Sequence, residues 1–185
     1  ATDDVGNMYI TDIEKGAVLK FDPSGTFLLS WNSHWGDESY YGPEGSYGHT
    51  PSDIAVDSDG NVYVPLPKNQ RVQKFSSSGE FILEWGGWSS QAPTGYPNGI
   101  AVDSAGDIYV FHGEEGKIKK YDPLGTLLFE FGSVGTDQGQ FIGPVGIAIG
   151  NYGDIYVADK SPNWVSNVNW GGRIQKFDQT GTFLL

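Results

Sequence analysis

Along this chain, short runs of Val, Ile, Tyr, Phe and Leu alternate with polar residues and are cut at frequent intervals by Asp-Gly, Ser-Gly and Gly-Thr pairs. That spacing predicts hairpin-linked strands. The stretch Arg71-Val72-Gln73-Lys74-Phe75 alternates between apolar and polar side chains, as a strand with one buried face does. The stretch at 53–57 is small and apolar between its two aspartates, which suits a strand buried on both faces. No window of roughly ten residues or more holds a helical period of apolar positions. The 27 Gly and 10 Pro punctuate the chain too often for long helices, so the class is all-β.

The runs are organised by a repeat. One phrase is written four times: ATDDVGNMYI from Ala1, AVDSDGNVYV from Ala55, AVDSAGDIYV from Ala101 and AIGNYGDIYV from Ala148. A second phrase follows each: AVLKFDPSGTFLLSW from Ala17, RVQKFSSSGEFILEW from Arg71, KIKKYDPLGTLLFEF from Lys117 and RIQKFDQTGTFLL from Arg173. Each repeat therefore predicts four strands, a to d, which in the second repeat are 53–57, 61–64, 71–75 and 80–85. Strand a is expected to be innermost. Repeats of this length with turn punctuation have the form of propeller blades. The order Pro-x-Gly-Ile-Ala-Val-Asp at 97–103, Gly-Asp-Ile-Tyr-Val at 153–157, Arg-Ile-Gln-Lys-Phe-Asp at 173–178 and Gly-Thr-Phe-Leu at 181–184 resembles NHL repeats.

The resemblance covers essentially the whole chain and implies a single NHL-type β-propeller region, 1–185, of four four-stranded antiparallel blades. The blades are expected at approximately 1–31, 52–85, 98–131 and 145–185, the first and last incomplete. Propellers of this family are usually six-bladed rings. Four blades thus imply a fragment of a larger ring, a small four-bladed ring, or an arc closed by another copy of the chain. Repeat units bury their faces only against neighbours, so uncovered end faces would invite association.

Chain direction places the a-to-b and c-to-d turns on one rim and the b-to-c and d-to-a connections on the other. Insertions fall on the second rim. The step from Tyr156 to Phe177 is longer than the matching steps from Tyr9 to Phe21, Tyr63 to Phe75 and Tyr109 to Tyr121, and the extra residues lie in DKSPNWVSNVNWGG. The linker from Trp31 to Ala55 is likewise longer than those from Trp85 to Ala101 and from Phe131 to Ala148. These connections carry His34, Trp35, Tyr40, Tyr41, Tyr47, His49, Trp88, Tyr96, His112, Trp164 and Trp170, the candidate ligand- or partner-binding set. Trp and Tyr offer flat amphipathic contact area suited to a sugar ring, a peptide or a protein surface. The same aromatics would also serve to cover the long loops themselves.

Candidate chemistry is thin. The net charge of -12 repels phosphate backbones and anionic lipid, which argues against nucleic-acid partners despite the local cluster Lys117, Lys119 and Lys120. No apolar run reaches the ~20 residues of a membrane-spanning helix. The chain has no Cys, which removes disulfides and thiol nucleophiles. The three His are imidazoles of the kind that bind zinc or copper, and peptide-amidating lyases have a related propeller with a histidine-bound metal. No further matching pattern carries those sites to this chain, and no cofactor is expected. Asp57-Ser58-Asp59-Gly60-Asn61 opens like a calcium loop but has Lys68 where an EF-hand needs glutamate, so it reads as a strand-to-strand turn. Serines such as Ser78 and Ser89 lie in no nucleophile elbow. The expectation is a non-catalytic module, extracellular or at the cell surface, that contacts protein, further copies of itself or glycan. The alternative is a metal-dependent propeller enzyme of lyase or lactone-hydrolase type, with Asp53, Asp57 and Asp103 at the inner strand ends.

Overall fold

The computed structural model describes residues 1–33, 50–87, 95–160 and 172–185. Each repeat forms an antiparallel sheet whose strands pair in chain order. Sheet 1 holds β1 (Met8–Asp12), β2 (Ala17–Phe21) and β3 (Phe27–Asn32), and sheet 2 holds β4 (Ala55–Val56), β5 (Val62–Leu66), β6 (Arg71–Phe75) and β7 (Phe81–Gly86). Sheet 3 holds β8 (Pro97–Val102), β9 (Ile108–His112), β10 (Lys117–Tyr121) and β11 (Leu127–Phe131), and sheet 4 holds β12 (Pro144–Ile149), β13 (Ile155–Asp159) and β14 (Arg173–Phe177). Among the described residues there is no α-helix, only one turn of 3-10 helix at Pro67–Asn69. The all-β expectation holds.

Sheets 1 and 4 have three strands, with remnants of a fourth. The Tyr9 amide donates to the Ala1 carbonyl at 2.9 Å, and the Lys176 amide donates to the Leu185 carbonyl at 2.7 Å. In the second repeat, strand a shrinks to Ala55–Val56 because the Ile54 amide is taken by the Asp53 side chain at 2.8 Å. Strand b instead runs past its expected end to Leu66. Pro65 stands opposite Val72, and its carbonyl accepts from the Ser52 amide, so the residue without an N–H falls where none is needed.

The chain divides into two compact units, Ala1–Pro97 and Asn98–Leu185. In the first, Tyr9, Val18 and Trp31 of sheet 1 pack on Val62, Val64, Leu66 and Phe75 of sheet 2. In the second, Tyr109, Phe111 and Ile118 of sheet 3 pack on Ile155, Val157 and Phe177 of sheet 4, joined by Phe141 from the linker. Tyr9, Val18, Val62, Val64 and Phe75 of the first interface recur at the matching repeat positions of the second as Tyr109, Ile118, Ile155, Val157 and Phe177. The period of two along strand b sends its tyrosine to one face and the flanking valine or isoleucine to the other. Each fully buried residue of this size contributes roughly 1.5–3 kcal/mol.

The strands are tied by eight turns of one kind, in which the residue at Asp3, Asp22, Asp57, Ser76, Asp103, Asp122, Gly150 or Asp178 accepts the amide of the glycine three residues on. The turn glycines of sheet 2, Gly60 and Gly79, have φ of 80° and 82°. Gly79 has a second reason to lack a side chain: a Cβ there would lie 2.7 Å from the Trp31 ring of sheet 1. Gly181 repeats this against Phe131 at 2.6 Å in the second unit. Within each sheet the a-to-b turn lies on the c-to-d turn, with the Gly60 Cβ position 3.4 Å from Ser77 and that of Gly106 3.6 Å from Pro123. The b-to-c turns meet the outgoing linkers at the other end, where Ser33 donates to the Gly16 carbonyl at 2.8 Å. This matches the two-rim assignment.

Candidate functional site

His34, Trp35, Tyr40, Tyr41, Tyr47, His49, Trp88, Trp164 and Trp170 lie outside the described residues. Tyr96 is half-buried just before β8. His112 is the last residue of β9 and is buried, with Nε2 3.4 Å from the Tyr121 hydroxyl. Burial pushes the Tyr121 hydroxyl well above its ordinary value, and the Glu115 and Glu130 carboxylates push in the same direction. His112 thus stands under the b-to-c turn of sheet 3 and not on its surface.

The base of the long fourth b-to-c connection is well defined. Asp159 ends β13 and Arg173 opens β14, paired directly across the ladder. The buried Asp159 carboxylate accepts from the Gly143 amide at 2.9 Å, the Ile142 amide at 3.1 Å and Arg173 Nε at 3.2 Å. The guanidinium continues to the carbonyls of Gln140 at 2.6 Å and Thr136 at 2.5 Å, while Gln175 donates to Gln140 at 2.8 Å and accepts from the Gly139 amide at 2.9 Å. A buried charge stays only when paired and fully hydrogen-bonded, and the planar guanidinium supplies that here. Both ends of the insertion are therefore pinned to the preceding linker. Sequence reasoning missed this pair, although opposite charges at facing ends of strands b and c were its signal. Sheet 2 uses a related device, in which Arg71 and Gln73 both bind Glu84.

On the opposite rim the acidic turns are occupied by their own donors. Asp57 Oδ1 accepts from the amides of Asp59 at 3.0 Å and Asn61 at 2.8 Å, and Oδ2 accepts from Asn61 Nδ2 at 2.8 Å and the Tyr63 hydroxyl at 2.9 Å. Asp3 makes the same set with Val5, Asn7 and Tyr9. Burial and then the Asp57 hydrogen bond hold the Tyr63 hydroxyl far above its ordinary value. Turn capping thus accounts for these carboxylates without calcium. Among the described residues no group of three or more His, Asp or Glu has the geometry of a metal site.

A further repeated feature escaped the sequence reading. Each strand b tyrosine has a lysine directly across the ladder on strand c: Tyr9 and Lys20, Tyr63 and Lys74, Tyr109 and Lys120, Tyr156 and Lys176. Each ammonium lies over its ring, at 5.0, 5.1, 4.9 and 5.5 Å from the centroid. Lys120 also binds Asp103 at 3.2 Å and Asp107 at 2.8 Å. Burial works to lower its pKa, but hydrogen bonds to Asp107, Tyr109 and Asp103 outweigh that and raise it. Lys119 pairs with Glu115 at 2.8 Å and Lys117 with Glu130, so every lysine of the candidate basic cluster has an acidic partner. The cluster offers a phosphate backbone little free charge.

No protein-family model matches the chain. Over 90 residues, 46% of this chain and 9% of the relative, it is 34% identical to peptidylglycine alpha-amidating monooxygenase of Rattus norvegicus. Among solved structures it is similar to streptogramin B lyase, with a TM-score of 0.71, 17% identity, and coverage of 99% of this chain and 51% of that one. It is also similar to the WD40 repeats of RRP9, with a TM-score of 0.66, 10% identity, and coverage of 96% of this chain and 46% of that one. The chain spans about half the length of these structures and a small part of the curated relative. Identities this low carry the fold alone, and a fold that serves a lyase in one protein and WD40 repeats in another does not assign an activity. The four sheets are blades of β-propeller type.

Proposed function

We propose that the chain is a non-catalytic binding and assembly module of NHL-repeat type, working at the cell surface or outside the cell through protein or glycan contacts on its loop-bearing rim. The observation that supports this most directly is the employment of the acidic turn residues Asp3, Asp57 and Asp103, with Lys120, in capping turns or pairing strands. Groups committed in this way are poorly placed for acid-base or metal chemistry. The likeness to WD40 repeats agrees with a binding scaffold. The two ends of the fourth b-to-c insertion, whose sequence carries Trp164 and Trp170, are anchored at Asp159 and Arg173.

A second reading, a metal-dependent propeller enzyme, draws on the likeness to streptogramin B lyase and the partial match to the amidating monooxygenase. One experiment separates them. The purified chain is titrated with glycan panels and followed by tryptophan fluorescence, then assayed on lactone and streptogramin substrates with and without divalent ions. Saturable binding that is lost in Trp164→Ala with Trp170→Ala, at unchanged unfolding midpoint, supports the binding module. Turnover that depends on the added metal and disappears with chelator would replace it with the enzyme.

A further inference from the structure

Strand d of every repeat carries one residue more than the strand it pairs with, at the same repeat position. On sheet 1 Phe21 faces Phe27 and Lys20 faces Leu29, so Leu28 has no partner of its own. Ile82 on sheet 2 and Leu128 on sheet 3 are passed over in the same way, the ladders stepping from Phe81 to Leu83 and from Leu127 to Phe129. On sheet 4 Phe177 faces Phe183, and the Lys176 carbonyl accepts both the Leu184 amide at 2.8 Å and the Leu185 amide at 3.3 Å. Two residues set against one make a β-bulge. The passed-over side chain is aliphatic each time and half-exposed, at 46% for Leu28, 45% for Ile82, 49% for Leu128 and 50% for Leu184.

A regular edge strand turns every second residue's N–H and C=O outward and offers that row to any further strand. At a bulge two successive amides turn inward to one carbonyl, as at Lys176, so the outward row is interrupted and the strand twists away. We infer that the bulges at Leu28, Ile82 and Leu128 close the outer edges of sheets 1 to 3 to strand addition, so that the chain's protein contacts are not ladders extended from β3, β7 or β11. Their placement supports this. A bulge at the second residue leaves only 29–32, 83–86 and 129–131 in regular pairing, and short runs are poor templates. The other common guards are missing as well, since none of these strands holds Pro or Lys. Their acidic residues are turned to the sheet, Glu84 to Arg71 and Gln73, and Glu130 to Lys117. The inference goes beyond the proposed function and does not depend on what the rim binds.

Deletion of Ile82 tests it. Phe81 and Leu83 already face neighbouring residues of β6, Phe75 and Lys74, so removing Ile82 keeps both on their present faces and restores regular alternation. By light scattering the deletion variant is expected to at least double the particle mass of the unmodified chain, rising with concentration and with an intermolecular β signal in the infrared. Ile82→Thr keeps the bulge and is expected to match the unmodified chain. A deletion variant that unfolds cooperatively yet keeps the unmodified chain's particle mass overturns the inference, and so does Ile82→Thr associating as strongly as the deletion. A second measurement stands whether or not the deletion variant folds. A labelled peptide of sequence FILEWG is titrated into the unmodified chain while amide hydrogen exchange is followed in β3, β7 and β11. Exchange is expected to be unchanged at every peptide concentration, and slowed exchange in any of these strands means that its edge accepts a strand and overturns the inference. Glycan binding by the rim is read separately by fluorescence and survives either outcome.

Discussion

One amide-to-acid change between repeats redirects a lysine. Asn61 ties its side chain to Asp57, and the Tyr63 hydroxyl takes the remaining place on that carboxylate. At the matching position Asp107 cannot donate, and Lys120 moves in between Asp103 and Asp107. Because this ammonium is largely buried, Lys120→Met leaves two carboxylates facing each other and is expected to cost about 2 kcal/mol of unfolding free energy. Lys15→Ala, which removes an exposed pair with Asp12, is expected to cost less than ~0.5 kcal/mol. Asp57→Ala strips four donors of their acceptor and is expected to cost about 3 kcal/mol. Urea unfolding of the three variants checks the order. The turns were legible in the sequence because Asp, Asn and Gly are required there by local backbone geometry. The lysine-over-tyrosine pairs were not, since they exist only once strands b and c are set in register; the constant step from Tyr9 to Lys20, Tyr63 to Lys74 and Tyr109 to Lys120 was the trace they left.

The turn that closes a c-to-d hairpin reverses the chain and, at Gly79 and Gly181, also admits an aromatic ring of the preceding sheet, and the two jobs separate by mutation. Gly25 and Gly79 share a left-handed backbone, at φ of 86° and 82°, but the Gly25 Cβ position has nothing within 4 Å while that of Gly79 meets the Trp31 ring. Gly25→Ala therefore carries only the backbone penalty, about 1 kcal/mol, whereas Gly79→Ala must also displace an indole between two sheets and is expected to cost roughly 2 kcal/mol more. Trp31 emission should shift in the second variant alone. Strand identity was legible along most of the chain because a period of two, broken by glycine turns, leaves few alternatives. Strand ends were less so: Asp53 diverts an amide that strand a would have used, and Pro65 sits in β5 at a place its missing N–H permits. The candidate binding set was chosen by residue type on one rim, and a buried His112 beneath its turn shows that rim assignment alone does not separate a presenting side chain from a supporting one. Asp159 and Arg173, the base of the insertion, were overlooked because opposite charges at facing strand ends do not reveal a buried pair until the preceding linker packs over it and donates the Ile142 and Gly143 amides.

Acid and alkali act on different parts of this molecule. Asp22, Asp122 and Asp178 are held below the ordinary carboxylate value by hydrogen bonds from their own turns, and Asp3 is held low by its turn hydrogen bonds against the opposing effect of burial. In the unfolded chain these groups take up protons near pH ~4 while the folded chain still resists, so their contribution is present above that pH and is lost as pH falls through the folded values. Tyr9, Tyr63 and Tyr121 are shifted up, chiefly by burial, and Lys120 is shifted up by its partners. The unfolded chain releases these protons near pH ~10 and the folded chain keeps them, so the unfolded state binds fewer protons and stability must decline as pH rises beyond that point. Unfolding free energy measured from pH 3 to 11 is therefore expected to show a plateau from about pH 5 to pH 9 with a falling limb on each side. Tyr121 is the useful probe, because its shift comes from burial first and from the nearby Glu115 and Glu130 charges second, with no aspartate to cap. Tyr121→Phe keeps the ring and removes the ionisable group, and it should shallow the alkaline limb while leaving the acid limb unchanged. An alkaline limb equally steep in this variant would show that the buried tyrosine does not couple to folding, and a profile flat to pH 11 would remove the same role from Tyr9, Tyr63 and Lys120 together.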